Sequence, residues 1–98
     1  MQYFFLKLLP PRPTFSQDMT EAERAVMQEH VLYWKDLTDQ GTVIVYGPVF
    51  DPKGGYGMGV VEVETEADVQ RLIAGDPVSK ANLLTFEYYP MRVGAIRK

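Results

Sequence analysis

The pattern of apolar and polar positions predicts a strand followed by a long helix in the first part of the chain. Tyr3–Leu9 is largely apolar or aromatic on both faces of the predicted strand. Prolines at positions 10, 11 and 13 then end regular structure. Thr20 and Glu23 have the spacing of a capping box, which predicts the start of a helix. An apolar stripe at three- and four-residue steps extends this helix to about Asp39, and Gly41 provides the stop signal.

Three more strands and two shorter helical segments are predicted in the rest of the chain. Thr42–Phe50 and Tyr56–Glu64 are rich in strand-forming residues and flank a turn sequence, so we expect a hairpin. A second capping pattern follows and predicts a short helix that ends at Gly75, with one more helical turn over 77–82. Leu83–Val93 is predicted to be the last strand, again apolar on both faces.

The predicted order of elements is β-α-β-β-α-β, which is the ferredoxin-like pattern of an α+β fold. It predicts one domain over residues 1–98, with a four-stranded antiparallel sheet and two helices on one face. Because the strands are apolar on both faces, the face without helices needs a partner. We therefore predict a homodimer that forms through this sheet face.

The composition excludes several classes of function. The chain has 98 residues and no cysteine, which rules out disulfides, thiolate metal sites and a Cys nucleophile. With 10 basic and 13 acidic residues the formal net charge is -3, so nucleic-acid binding is not expected. We see neither a membrane span nor a secretory signal and predict a cytoplasmic protein. No metal and no cofactor are expected.

His30, the only histidine, is the main candidate for chemistry. It lies on the apolar stripe of the long helix, and imidazole can take and return a proton near neutral pH. Asp76 is a candidate partner that would fix its tautomer, and it also has the sequence context of a helix N-cap before Pro77. The alternative is that the two residues only satisfy each other in the core.

Other motifs carry weaker signals. The glycine-rich segment 54–59 precedes a strand instead of a helix, so it is interpreted as a turn and not as a phosphate site. Aromatic side chains that suit either a pocket or the core or an interface are Tyr46, Tyr88, Tyr89 and Trp34. The proline spacing at 10–13 matches a PxxP ligand, but a stiff loop explains it as well.

The chain resembles the YCII-related domain family over almost its whole length. The resemblance rests on an ordered set of segments: Glu29–Trp34, Gly41, Gly47-Pro48, the helix before Gly75, Gly75–Leu83 and Pro90. It implies a dimeric α/β barrel, in which two sheets pack face to face. It also implies a His–Asp dyad, here His30 with Asp76, and an activity like that of small lyases or isomerases of lactone and chlorinated-aromatic breakdown. The proline-rich connection before the long helix is longer than in the family.

Two functional hypotheses remain from the sequence. The first is a cofactor-independent lyase or isomerase in which His30 transfers a proton and Asp76 orients the imidazole. The second is a non-catalytic protein that binds a small ligand in the same pocket. For either hypothesis the predicted ligand-binding residues are Arg12, Tyr46, Ser79 and Lys80. Arg12 and Lys80 are included because they could hold an anionic group of a small organic ligand.

Overall fold

The computed structural model describes residues 1–97, and Lys98 lies outside the described part of the chain. The elements are β1 (Gln2–Leu9), α1 (Phe15–Asp18), α2 (Glu21–Asp39), β2 (Val43–Val49), β3 (Tyr56–Val63), α3 (Glu66–Gly75), α4 (Pro77–Lys80) and β4 (Thr85–Met91). The four strands form one sheet in the order β2-β3-β1-β4, and every neighbouring pair is antiparallel. The predicted ferredoxin-like α+β fold is therefore confirmed.

Alternate residues of β1 separate the two faces of the sheet. Phe4, Leu6 and Leu8 are buried against the two long helices, of which α2 contributes Trp34 and α3 contributes Val69 to the same core. This spacing of two residues is the strand periodicity. Both helices thus cover one face, as predicted.

The other face of the sheet carries the intervening residues. Phe5 pairs with Val60 on β3 and with Tyr89 on β4, and Val45 of β2 also pairs with Val60. Val45 and Tyr89 are each 50% exposed. We call this surface the open sheet face. It is apolar at its centre, where no helix covers it among the described residues.

Helix α2 begins where the capping box predicts. The Thr20 hydroxyl accepts from the amide N–H of Glu23 at 3.1 Å, and the Glu23 carboxylate accepts from the amide N–H of Thr20 at 2.8 Å. These two bonds satisfy amides that a helix start would leave without partners.

Within residues 1–97, neither α2 nor another helix combines the length and apolarity that crossing a membrane requires.

Two elements differ from the predictions, helix α1 and the last strand, β4. Helix α1 was not predicted, because it is only four residues long and follows the prolines directly. The last strand is shorter than Leu83–Val93. Its start is delayed because the chain turns at Asn82, which has φ 53°, and the amide N–H groups of Leu83 and Leu84 donate to the carbonyl oxygen of Val78. Its end comes early because Met91 pairs with Tyr3, close to the beginning of β1.

Candidate active site

Asp76 lies where α3 stops and α4 starts, and its side chain is fully buried. One carboxylate oxygen accepts from the amide N–H of Val78 at 3.0 Å, which caps α4, and Pro77 occupies the first helical position. The predicted N-cap is thus present. Burial of a carboxylate is costly unless hydrogen bonds compensate for the lost hydration, so the other donors around Asp76 matter.

Two of those donors come from α2. His30 Nδ1 lies 2.9 Å from each carboxylate oxygen of Asp76, and Trp34 Nε1 donates to Oδ2 at 2.6 Å. The two residues are four positions apart and therefore share one face of the helix. Together with the Val78 amide, three N–H groups from two elements converge on a single carboxylate.

The hydrogen bonds assign the tautomer of His30. A carboxylate is an acceptor, so the Nδ1 atom that contacts Asp76 carries the hydrogen, and in the neutral imidazole Nε2 then has a lone pair. Nε2 has no hydrogen bond to any described residue, and every fully buried side-chain nitrogen or oxygen of residues 1–97 has a partner. Nε2 is therefore in contact with solvent, although the His30 side chain is only 11% exposed.

His30 borders a cavity of about 320 Å³. Its walls come from the end of β1, the connection between β1 and α2, the middle of α2, β2, the turn before β3 with the start of that strand, and Leu84 before β4. Trp34 and Tyr46 form part of the inner wall, with their ring centroids 5.8 Å apart. His30 therefore borders a mostly apolar space, and its Nε2 atom has no hydrogen bond to a described residue.

The sequence did not single out Trp34 as a donor to Asp76. The available signal was its position four residues after His30 on the apolar stripe. Gly59 was missed for a different reason. A Cβ atom at Gly59 would overlap Cζ3 of Trp34 and lie 2.7 Å from Cη2, so the indole occupies space that only glycine leaves open. This close approach depends on tertiary packing, which no local pattern reports.

The structure brings only one of the four predicted ligand-binding residues to the cavity. Tyr46 lines the cavity, whereas Ser79 and Lys80 lie on α4 and do not line it. Arg12 also stays outside the lining, although its neighbours Pro10 and Pro13 contribute to it. The role of each of these residues in binding stays a prediction.

Arg12 instead joins the proline-rich connection to α2. Its guanidinium donates to both carboxylate oxygens of Glu23, at 2.7 and 2.9 Å, and to Asp18 at 2.8 Å. The hydrogen bonds from Arg12 lower the pKa of Glu23 from 4.5 to about 2. Hydrogen bonds from Thr14 and then Arg12 also lower the pKa of Asp18. We call Arg12, Asp18 and Glu23 the Arg12 clamp. It joins α2 to the proline-rich connection, which contributes Pro10 and Pro13 to the cavity wall.

Residues 1–97 contain no group of three or more His, Cys, Asp or Glu side chains arranged to hold a metal ion. Around His30 the titratable neighbour is Asp76, whose carboxylate is already bonded to three N–H groups. The chemistry that the site itself offers is therefore hydrogen bonding and proton transfer by imidazole.

Comparison with known proteins identifies the family. The sequence model of the YCII-related domain matches residues 3–92. The chain belongs to the YCII-related domain family. Among solved structures, it is similar to 5-chloro-2-hydroxyhydroquinone dehydrochlorinase from Burkholderia phenoliruptrix AC1100, solved in complex with 2,5-dihydroxybenzoquinone. The two chains are 22% identical with a TM-score of 0.67, over 93% of this chain and 95% of the other. No curated protein sequence matches this member of the family.

Proposed function

We propose that this protein is a cofactor-independent lyase or isomerase for a small organic molecule, with His30 as the group that transfers the proton. The observation that carries the proposal is the arrangement of the imidazole. Nδ1 lies 2.9 Å from a fully buried carboxylate, Nε2 has no hydrogen bond to a described residue, and the residue borders the cavity. Such a histidine is oriented to act as a general base towards a ligand.

The proposed reaction starts with removal of a proton from the ligand by Nε2 of His30. The electron pair of the broken bond stays on the ligand, and the imidazole becomes a cation that the Asp76 carboxylate stabilises. In an isomerisation, Nε2–H returns the proton to another atom. In an elimination, the electron pair expels a leaving group from the neighbouring atom. Both outcomes balance without a redox partner.

A relative supports the elimination. The similar structure belongs to a dehydrochlorinase, an enzyme whose name describes the loss of hydrogen chloride from its substrate. Loss of hydrogen chloride needs one group to accept a proton, and His30 is the candidate in this chain. The alternative is a protein that binds a ligand in the same cavity without turnover.

The experiment measures release of chloride from 5-chloro-2-hydroxyhydroquinone with a chloride electrode. We expect His30→Gln to lower the rate by about 10²-fold or more, since this is the range for loss of a general base. Glutamine retains an N–H donor that can reach Asp76, so the fold is expected to persist. Leu32→Gln is the matched control, because Leu32 is 66% exposed on the same helix and does not line the cavity.

An unchanged rate in His30→Gln would refute the assignment of His30. Absence of chloride release by the wild-type protein would refute this elimination. Binding of the compound without release, measured by calorimetry, would then favour the non-catalytic alternative. Circular dichroism of both variants shows whether the comparison is made between folded proteins.

The same proposal includes a homodimer through the open sheet face and a cytoplasmic location. Support for the dimer comes from the apolar centre of that face, where Phe5 and Val60 pair and Val45 and Tyr89 are each half exposed. Light scattering tests it: Val45→Lys is expected to give a monomer. A wild-type monomer at micromolar concentration would refute the dimer. The cytoplasmic location rests on the sequence alone.

A further inference from the structure

We propose that the cavity beside His30 selects an uncharged, mainly apolar ring compound over an anionic compound of the same shape. This inference rests on the proposed function and deepens it by naming the class of ligand. It departs from the anionic ligand that Arg12 and Lys80 suggested in the sequence.

The charge of the cavity wall is the first argument. No described residue that lines the cavity carries an ordinary formal charge at neutral pH, and its polar side chains include Ser16, His30 and Tyr46. An anion that enters such a space loses hydration, and no cation compensates for the loss. The Asp76 carboxylate lies directly behind the His30 ring and adds repulsion.

Two cations that neighbour lining residues in the sequence, Arg12 and Lys7, are already engaged. The Arg12 guanidinium is bonded to the carboxylates of Asp18 and Glu23, so the Arg12 clamp carries a net negative charge. Lys7 lies over the ring of Tyr56, with Nζ 4.7 Å from the ring centroid, and is not part of the lining. An anionic ligand would compete with these contacts for either side chain.

The size and chemistry of the wall indicate a ring. An apolar cavity of about 150 Å³ holds benzene, so about 320 Å³ has room for a substituted ring or a pair of fused rings. Met19, Met27 and Met58 line the cavity together with Trp34 and Tyr46. Thioethers make favourable contacts with aromatic rings and adapt to their shape. A planar, unsaturated ligand uses this wall better than a flexible polar one.

The experiment compares two probes that differ in charge, 3-hydroxybenzamide and 3-hydroxybenzoate. Each is titrated into the protein at neutral pH, and the NMR signals of the His30 ring and the Trp34 indole N–H are followed. We expect the amide to shift both signals and to bind at least about tenfold more tightly than the carboxylate. Equal or tighter binding of the carboxylate would overturn the inference, and so would the absence of binding by either probe.

A pair of variants tests the charge argument directly. Val31 lines the cavity and is 47% exposed, so Val31→Lys places a cation at the wall without burying it. We expect this variant to gain affinity for 3-hydroxybenzoate. Leu32→Lys adds the same charge to the same helix away from the cavity and is expected to keep the wild-type preference. An equal gain in both variants would contradict a local effect.

These measurements are independent of turnover. A protein that prefers the amide but never releases chloride would refute the elimination and leave the ligand class intact. A protein that releases chloride but prefers the carboxylate would refute the ligand class alone.

Discussion

Substitution of Gly59 by alanine tests whether the packing of Trp34 maintains the site. The added Cβ atom would overlap Cζ3 of the indole and lie 2.7 Å from Cη2. Trp34 is 1% exposed and belongs to the hydrophobic core, so a shift of its ring disturbs the packing of the buried residues around it. We expect the indole to shift and its 2.6 Å hydrogen bond to Asp76 to lengthen or break. The substitution therefore acts on both stability and the candidate site.

The expected cost follows from three effects. Overpacking of a core costs about 1–3 kcal/mol, and a lost hydrogen bond to a charged group costs about 1.5–3 kcal/mol. Alanine also reduces the entropy of the unfolded chain, which stabilises the folded state by about 0.4–1 kcal/mol. We therefore expect Gly59→Ala to lower the free energy of unfolding by about 2–5 kcal/mol.

Two other glycines serve as matched controls in urea denaturation. A Cβ at Gly47 would have no neighbour within 4 Å, and at Gly57 it would lie 3.3 Å from Cβ of Leu8. Destabilisation is expected to be smallest in Gly47→Ala, larger in Gly57→Ala and largest in Gly59→Ala. The NMR signal of the Trp34 indole N–H should move only in the last variant. A Gly59→Ala protein as stable as Gly47→Ala, with an unmoved indole signal, would refute the reasoning.

Two further predictions concern pH. Hydrogen bonds from Arg12 lower the pKa of Glu23 to about 2. The ionised Glu23 carboxylate therefore stabilises the fold above pH 4.5, the pKa of the unfolded state, and this stabilisation is lost as the pH falls towards 2. Thermal melts should show a smaller loss of stability over this range in Glu23→Gln than in the wild type, and equal losses would contradict the Arg12 clamp. Burial and then the Asp76 charge raise the pKa of Tyr33 above 10.0, so its contribution is present below pH 10 and is lost as the pH rises through the folded value. Hydrogen bonds to Glu62 and Glu87 also raise the pKa of Tyr3 and of Tyr89, so absorbance titration should show several late-ionising tyrosines, one of which Tyr33→Phe removes. An identical titration curve in the variant would contradict this assignment.

The sequence predicted the fold because its signals are local. Capping residues, glycine stops and strand periodicity fixed the order of elements within a few residues, and the observed strand order confirms the fold class. The unpredicted helix α1 is too short to show a period. The last strand, β4, ends earlier than predicted because Met91 already pairs with Tyr3, close to the beginning of its partner β1. The position of this boundary therefore depends on β1 and not on the residues of β4.

The site was less predictable, because its charges pair across the fold. Arg12 was expected to hold a ligand, but its guanidinium contacts Asp18 and Glu23. Glu23 is eleven residues further along the chain, on α2. Helical spacing placed His30 and Trp34 on one face, yet it could not show that both would bond to Asp76. Only the packing of α2 against the start of α4 brings these groups together.

This packing couples the stability of the fold to the geometry of the site. Asp76 binds two side chains of α2 and one amide of α4, so its removal would leave three buried or partly buried donors without an acceptor. A loss of activity in an Asp76 variant would then report unfolding as much as lost chemistry. The cavity side of His30 is different, because Nε2 bonds to no described residue. Substitutions that keep an N–H donor at position 30, or that change the wall at Val31, therefore separate chemistry from folding where changes at Asp76 cannot.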